Sequence, residues 1–168
     1  MKRAAFALLA LLAFAPALAF AAAFDANGVK LGDNELAIKK SFPGIHCKPL
    51  EWKTDAADRR CDDAKVVFGG VEARMTFYLK SDSIRGFDVR FDSSHMTPVS
   101  VFLKRRYGAP VSESRDKIVR QGRQEREVFK ILWEEGKDKA LLSSLSTGKR
   151  ASLSVSRGNF DDEIYRVK

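Results

Sequence analysis

Between residues 66 and 91 the chain reads VVFGGVEARMTFYLKSDSIRGFDVRF, and apolar side chains recur at every second position. Val71, Ala73, Met75, Phe77 and Leu79 alternate with Glu72, Arg74, Thr76, Tyr78 and Lys80, the period of a strand with one buried face and not of a helix. A two-residue turn at Gly69 and Gly70 sets Phe68 opposite Val71 and Val66 opposite Ala73, which places the apolar residues of both strands on the same face. A loop at Ser81, Asp82 and Ser83 sets Phe77 opposite Phe87, Met75 opposite Val89 and Ala73 opposite Phe91. Two turns that select one face predict an antiparallel three-stranded meander. On the outward face Tyr78 lies opposite Gly86, where it either covers the glycine or serves as a contact residue, and Ile84 is paired with Lys80.

From Val128 onward the same logic returns. A turn centred on Lys137 sets Trp133 opposite Leu141, Ile131 opposite Ser143 and Phe129 opposite Leu145. A second turn, centred on Gly148, sets Leu145 opposite Ala151, Ser143 opposite Leu153 and Leu141 opposite Val155. This predicts a second meander, with the serines at 152, 154 and 156 on a solvated face.

A short helix precedes each meander. The first opens at Gly32 or Asp33 as N-cap, uses Leu36, Ile38 and Phe42 as apolar contacts, and stops at Pro43 and Gly44. The second opens with Thr97 as N-cap and Pro98 at the first helical position, buries Val99, Phe102 and Leu103, and ends at Gly108, Ala109 and Pro110. Residues 45–63 carry mixed charge without period and read as a surface loop. Residues 111–127 read as a charged hairpin or extended loop. The elements predict an α+β fold of two helix-plus-three-strand units, an antiparallel sheet with short helices packed on one face.

The chain begins Met-Lys-Arg, runs apolar to about residue 15 and then offers small-residue cleavage positions, the pattern of a secretory signal peptide over 1–23. One domain is expected over 24–168. Without Lys2 and Arg3 the 30 Lys and Arg fall to 28 against 22 Asp and Glu, so the net charge falls from +8 to +6. A basic exported protein can meet lipid head groups or an acidic partner, and no nucleic-acid motif accompanies the charge.

Cys47 and Cys61 are the two cysteines, and an oxidising compartment favours a disulfide between them, which contributes about 3 kcal/mol in the chain-entropy model. Metal binding by His46, Cys47, Cys61, Asp62 and Asp63 lacks a recognised ligand spacing, and the aspartates of 55–63 do not follow the EF-hand order. No metal or other cofactor is expected.

At a spacing of about 65 residues, Ile38 to Phe42 lies over Leu103 to Tyr107, and the strands that follow match within about a residue, suggesting an internal repeat of 31–92 and 96–157. With LGDNELAIKKSFPG opening one unit and FLKRRYGAP closing the next unit's helix, the chain resembles the BamE/SmpA-like and β-lactamase-inhibitor-like group of small exported α+β modules. That resemblance implies short helices on an antiparallel sheet and function by binding other proteins. The lipid-acceptor cysteine of the assembly members is missing after the leader, and the contact loops of the inhibitors have no counterpart identified here.

The two histidines, His46 and His95, sit beside a cysteine and in a turn, and no nucleophile, metalloprotease or phosphate-loop motif accompanies them. An enzyme is not expected. The reading is an exported periplasmic protein-interaction module of the bacterial cell envelope, using the outward sheet face at Arg74, Tyr78 and Arg90 or the loop carrying Arg115, Arg120 and Arg123. The alternative is a binder of anionic lipid or another small envelope ligand. Its anion patch would comprise Lys39, Lys40, Lys104, Arg105 and Arg106 at the helix ends, although cations there also simply complement the helix dipole.

Overall fold

The computed structural model describes residues 23–118 and 125–166. The expected leader, save its last residue, and both Arg120 and Arg123 therefore lie outside the described residues. A two-stranded ribbon, β1 (Asp25–Ala26) and β2 (Val29–Lys30), leads into helix α1 (Glu35–Ser41). Four strands follow, β3 (His46–Pro49), β4 (Arg59–Phe68), β5 (Val71–Lys80) and β6 (Ser83–Asp92). A 3-10 turn (Ser93–His95) enters helix α2 (Met96–Tyr107), and four more strands complete the sheet: β7 (Ser112–Ile118), β8 (Arg126–Glu135), β9 (Asp138–Leu145) and β10 (Arg150–Arg157). A one-turn helix, α3 (Phe160–Glu163), follows.

The eight long-sheet strands are ordered β3-β4-β5-β6-β10-β9-β8-β7, all antiparallel. The fold is thus mostly β, with 51% of the described residues in strand against 19% in helix, and the α+β expectation is corrected. One segment read as a loop, and one read as a hairpin or extended loop, are the reason. Residues 45–63 supply β3 and the first half of β4, and residues 111–127 supply β7, so each half of the chain adds four strands and not three. Edge strands bury neither face deeply and carry little apolar alternation to mark them.

The first meander has the register its turns demand: Phe68 pairs with Val71, Phe77 with Phe87 and Met75 with Val89. Its second turn departs in detail. Ser81 and Asp82 form a two-residue turn, both with positive φ, so Lys80 pairs with Ser83 and Leu79 with Ile84. A bulge at Arg85 then adds back one residue, and Tyr78 meets Gly86. Ile84 consequently joins the core, fully buried, instead of facing Lys80.

The second meander lies one residue away from the expected register. Gly136, with φ of 60°, opens a two-residue turn, so Trp133 pairs with Ala140 and Ile131 with Leu142. No bulge compensates. Ala140 and Leu142 therefore fill the core, and Leu141 turns to the other face. One buried cluster gathers these residues with Met75, Phe77, Phe87, Val89, Leu153 and Val155 and with Ile38 of α1 and Leu103 of α2.

The helix starts also differ. Asn34 caps α1 by accepting from the Ala37 N–H at 3.0 Å, and Asp82 of the distant turn accepts from Glu35 N–H at 3.0 Å. Leu36, expected in the core, is 74% exposed because the cap places it on the solvent side. Asp92 caps the 3-10 turn ahead of α2, so Thr97 lies inside the helix. Among the described residues no helix is long and apolar enough to cross a membrane.

Candidate functional site

With one sheet face given to the core, the opposite face holds the alternate residues. Strand register assembles them into rows that cross the sheet. One row runs Arg74, Arg90, Ser152, Ser143, Lys130 and Ser114. The next runs Asp62, Thr76, Asp88, Ser154, Leu141 and Leu132. The third begins Arg60, Tyr78, Gly86 and Ser156.

The third row is covered, which corrects the expectation that helices occupy one face only. Phe160 of α3 lies over Tyr78, with ring centroids 5.5 Å apart, and a Cβ placed on Gly86 would come within 2.5 Å of that ring. Ile164, Ala56 and Ala57 complete a small second core there. The loop between β3 and β4 is bound to this lid: Trp52 Nε1–H donates to the Ile164 carbonyl at 2.7 Å, and the Thr54 hydroxyl donates to the Glu163 carbonyl at 2.7 Å. Ser156, read as solvated, is fully buried and donates to Asp161 at 2.8 Å. Tyr78 is only 5% exposed, so it belongs to this core and offers a partner little surface. Burial also pushes its hydroxyl pKa upward.

The first two rows stay open between β4 and β10. Two cavities of about 420 and 410 Å³ lie over them and share Ala64, Arg74 and Arg90 in their linings. Lys149 and Arg150 stand at one end, Trp52 and Tyr165 at the other. The two aromatic rings are stacked at 6.3 Å, and the Arg60 guanidinium lies 5.9 Å from the Trp52 ring. Arg74 and Arg90 are directly paired across β5 and β6, a like-charge juxtaposition that costs stability. Arg90 has Asp88 at 3.8 Å, and no ion pair holds Arg74 among the described residues. Asp88 lines neither cavity but a smaller one beside Tyr78, Ser154 and Phe160; burial raises its carboxyl pKa, only partly offset by the Ser154 hydroxyl and Arg90.

The remaining sequence candidates scatter. Cys47 and Cys61 form the expected disulfide across the directly paired positions of β3 and β4, S–S 2.01 Å. Glu35 lies near both sulfurs, which the disulfide commits to each other. Arg115 sits on edge strand β7, its guanidinium 5.6 Å from the Phe129 ring. Of the helix-end cations, Lys39 pairs with Glu35 at 2.7 Å, Lys104 with Glu113 at 2.6 Å and Arg106 with the buried Asp25. Those three are neutralised internally. Lys40 and Arg105 have no ion pair among the described residues. His46 and His95 are exposed on different elements.

Sequence reasoning found Arg74 and Arg90 through strand alternation but missed Trp52, Tyr165, Lys149 and Arg150 as their neighbours. The alternation reports a face; it cannot report which loop or terminus folds over it. No family model, no curated protein and no solved structure matches the chain.

Proposed function

We propose that this chain is an exported periplasmic protein-interaction module of a bacterial cell envelope, without catalysis, and that it binds its partner on the open half of the outer sheet face. One observation carries the reading: on the outer face over β4, β5 and β6, two cavities that share Ala64, Arg74 and Arg90 are bordered by arginines and a stacked Trp52–Tyr165 pair. Arginine, tryptophan and tyrosine are the side chains that dominate protein–protein hot spots. The resemblance to the BamE/SmpA-like and β-lactamase-inhibitor-like modules points in the same direction, as an analogy.

The competing reading, a binder of anionic lipid through the helix ends, has less support, since three of its five cations already hold acidic partners. Affinity capture of the tagged protein from native envelope extract, with mass spectrometry of proteins and lipids, separates the two. The interaction reading predicts a stoichiometric, salt-sensitive protein partner. Lipid recovered without protein overturns it.

A further inference from the structure

We infer that the open groove takes an extended acidic segment of a protein partner, its carboxylates against Arg74, Arg90 and Arg150 and an aromatic or aliphatic side chain against Tyr165. This rests on the protein-interaction reading and specifies the chemistry of that site.

The charges supply the first reason. Thirteen ion pairs are distributed over the described residues, yet none involves Arg74, Lys149 or Arg150, and Arg90 has one only at 3.8 Å. All four border the same cavity. Of the acids beside them, Asp92 accepts from the backbone and hydroxyl of Ser94 and faces Lys149 and His95, and Glu72 lies 3.8 Å from Lys65, which leaves Arg74, Arg90 and Arg150 the least compensated. Cations brought together against their mutual repulsion leave an unfilled place for negative charge, and guanidinium groups favour carboxylate by paired hydrogen bonds.

The shape supplies the second. The groove follows β5 from Glu72 to Thr76, about 13 Å at strand rise or roughly four extended residues, and ends against the covered Tyr78. Its far end changes character, to the exposed Tyr165 stacked on Trp52. A lipid surface presents a plane of uniform negative charge. Here Asp62, whose charge is shared with Arg60 at 3.0 Å, and the part-buried Asp88 stand in the adjacent row, which a uniform plane of charge cannot avoid, whereas a polypeptide can place its acids over the arginines and an uncharged residue over the aspartates.

The test uses protein produced from the full-length gene and three probes at 50 mM and 300 mM salt. They are fluorescent hexaglutamate, a hexapeptide of three glutamates followed by glycine and two phenylalanines, and vesicles of phosphatidylglycerol. Both peptides bind at low salt, the phenylalanine peptide at least fivefold tighter. Arg74→Glu with Arg90→Glu lowers both affinities at least tenfold, Arg74→Lys lowers them less, and Tyr165→Ala removes the difference between the peptides. Melting temperatures of the variants, compared with that of the parent, separate lost binding from lost folding. Peptide binding that survives the double charge reversal, or is absent in the parent, overturns the inference. If an envelope protein captured by the parent is also captured undiminished by the double variant, the interaction reading stands and only this placement fails. Vesicle binding without peptide binding or protein capture overturns both.

Discussion

Asp88, on the outer sheet face beside Tyr78 and Phe160, has surroundings that disfavour its charge. Its folded pKa is raised by burial, so the stability it contributes is complete below the unfolded carboxylate pKa of about 4 and is lost as pH rises through the folded value. At neutral pH the ionised group therefore costs stability. Asp88→Asn should raise Tm at pH 7, and the advantage should shrink to nothing towards pH 3. Thermal melts of both proteins across that range check the sign. Arg74, Arg90 and Asp88 all share the outward period of their strands, so their common face was legible in the sequence. Depth was not: the burial of Tyr78 and Ser156 comes from Phe160 and its neighbours, some 80 positions from Tyr78 and following β10 directly.

Turns and lids act at the scale of the element. Helix α3 has a single turn, and the missing side chain of Gly86 is what lets Phe160 approach β6. Gly86→Ala should cost about 2 kcal/mol through overpacking. In a Phe160→Ala background the same change should cost less than about 0.5 kcal/mol, and denaturant titration of the four proteins closes the cycle. The disulfide fastens β3, a four-residue edge strand, to β4 at one pair of positions. Replacing both cysteines by serine should lower stability by about 3 kcal/mol, measured as a drop in the denaturant midpoint.

Element boundaries show where alternation suffices and where it fails. The first meander's strands were legible because a two-residue turn followed by a bulge gives the same register as the three-residue loop its sequence suggests. In the second, Gly136 and Lys137 make the turn alone, and one residue of slip exchanges Leu141 for Leu142 in the core. Alternation over LLSSL fits either choice, since apolar and small residues adjoin on both faces. Turn geometry decided it.

Across the whole molecule, both halves run helix, edge strand, two inner strands and a central strand, meeting where β6 pairs with β10. The edges were hidden in the sequence because β7, reading SESRDKI, meets only one neighbour and remains mostly exposed. The main core crosses the central seam, with Phe87 and Val89 on one side and Leu153 and Val155 on the other. Trp133 lies in that core, and Trp52 lies beside the smaller one under α3. Single-tryptophan proteins, Trp52→Phe and Trp133→Phe, should each show the same unfolding midpoint by fluorescence and by circular dichroism. Divergent midpoints between the two probes of one protein would show separable halves.

The claim that joins these scales is that the open half of the outer sheet face meets a protein. Glu72 is exposed at the rim of the arginine-lined cavity, and Lys40 is exposed on α1, outside both cavity linings. A photo-crosslinking amino acid placed at each position in turn, activated in intact cells, tests the face directly. The account predicts a discrete protein adduct from position 72 that disappears when Arg74 and Arg90 are changed to glutamate, and none from position 40. An adduct from position 40 alone, or only lipid adducts from position 72, would contradict it.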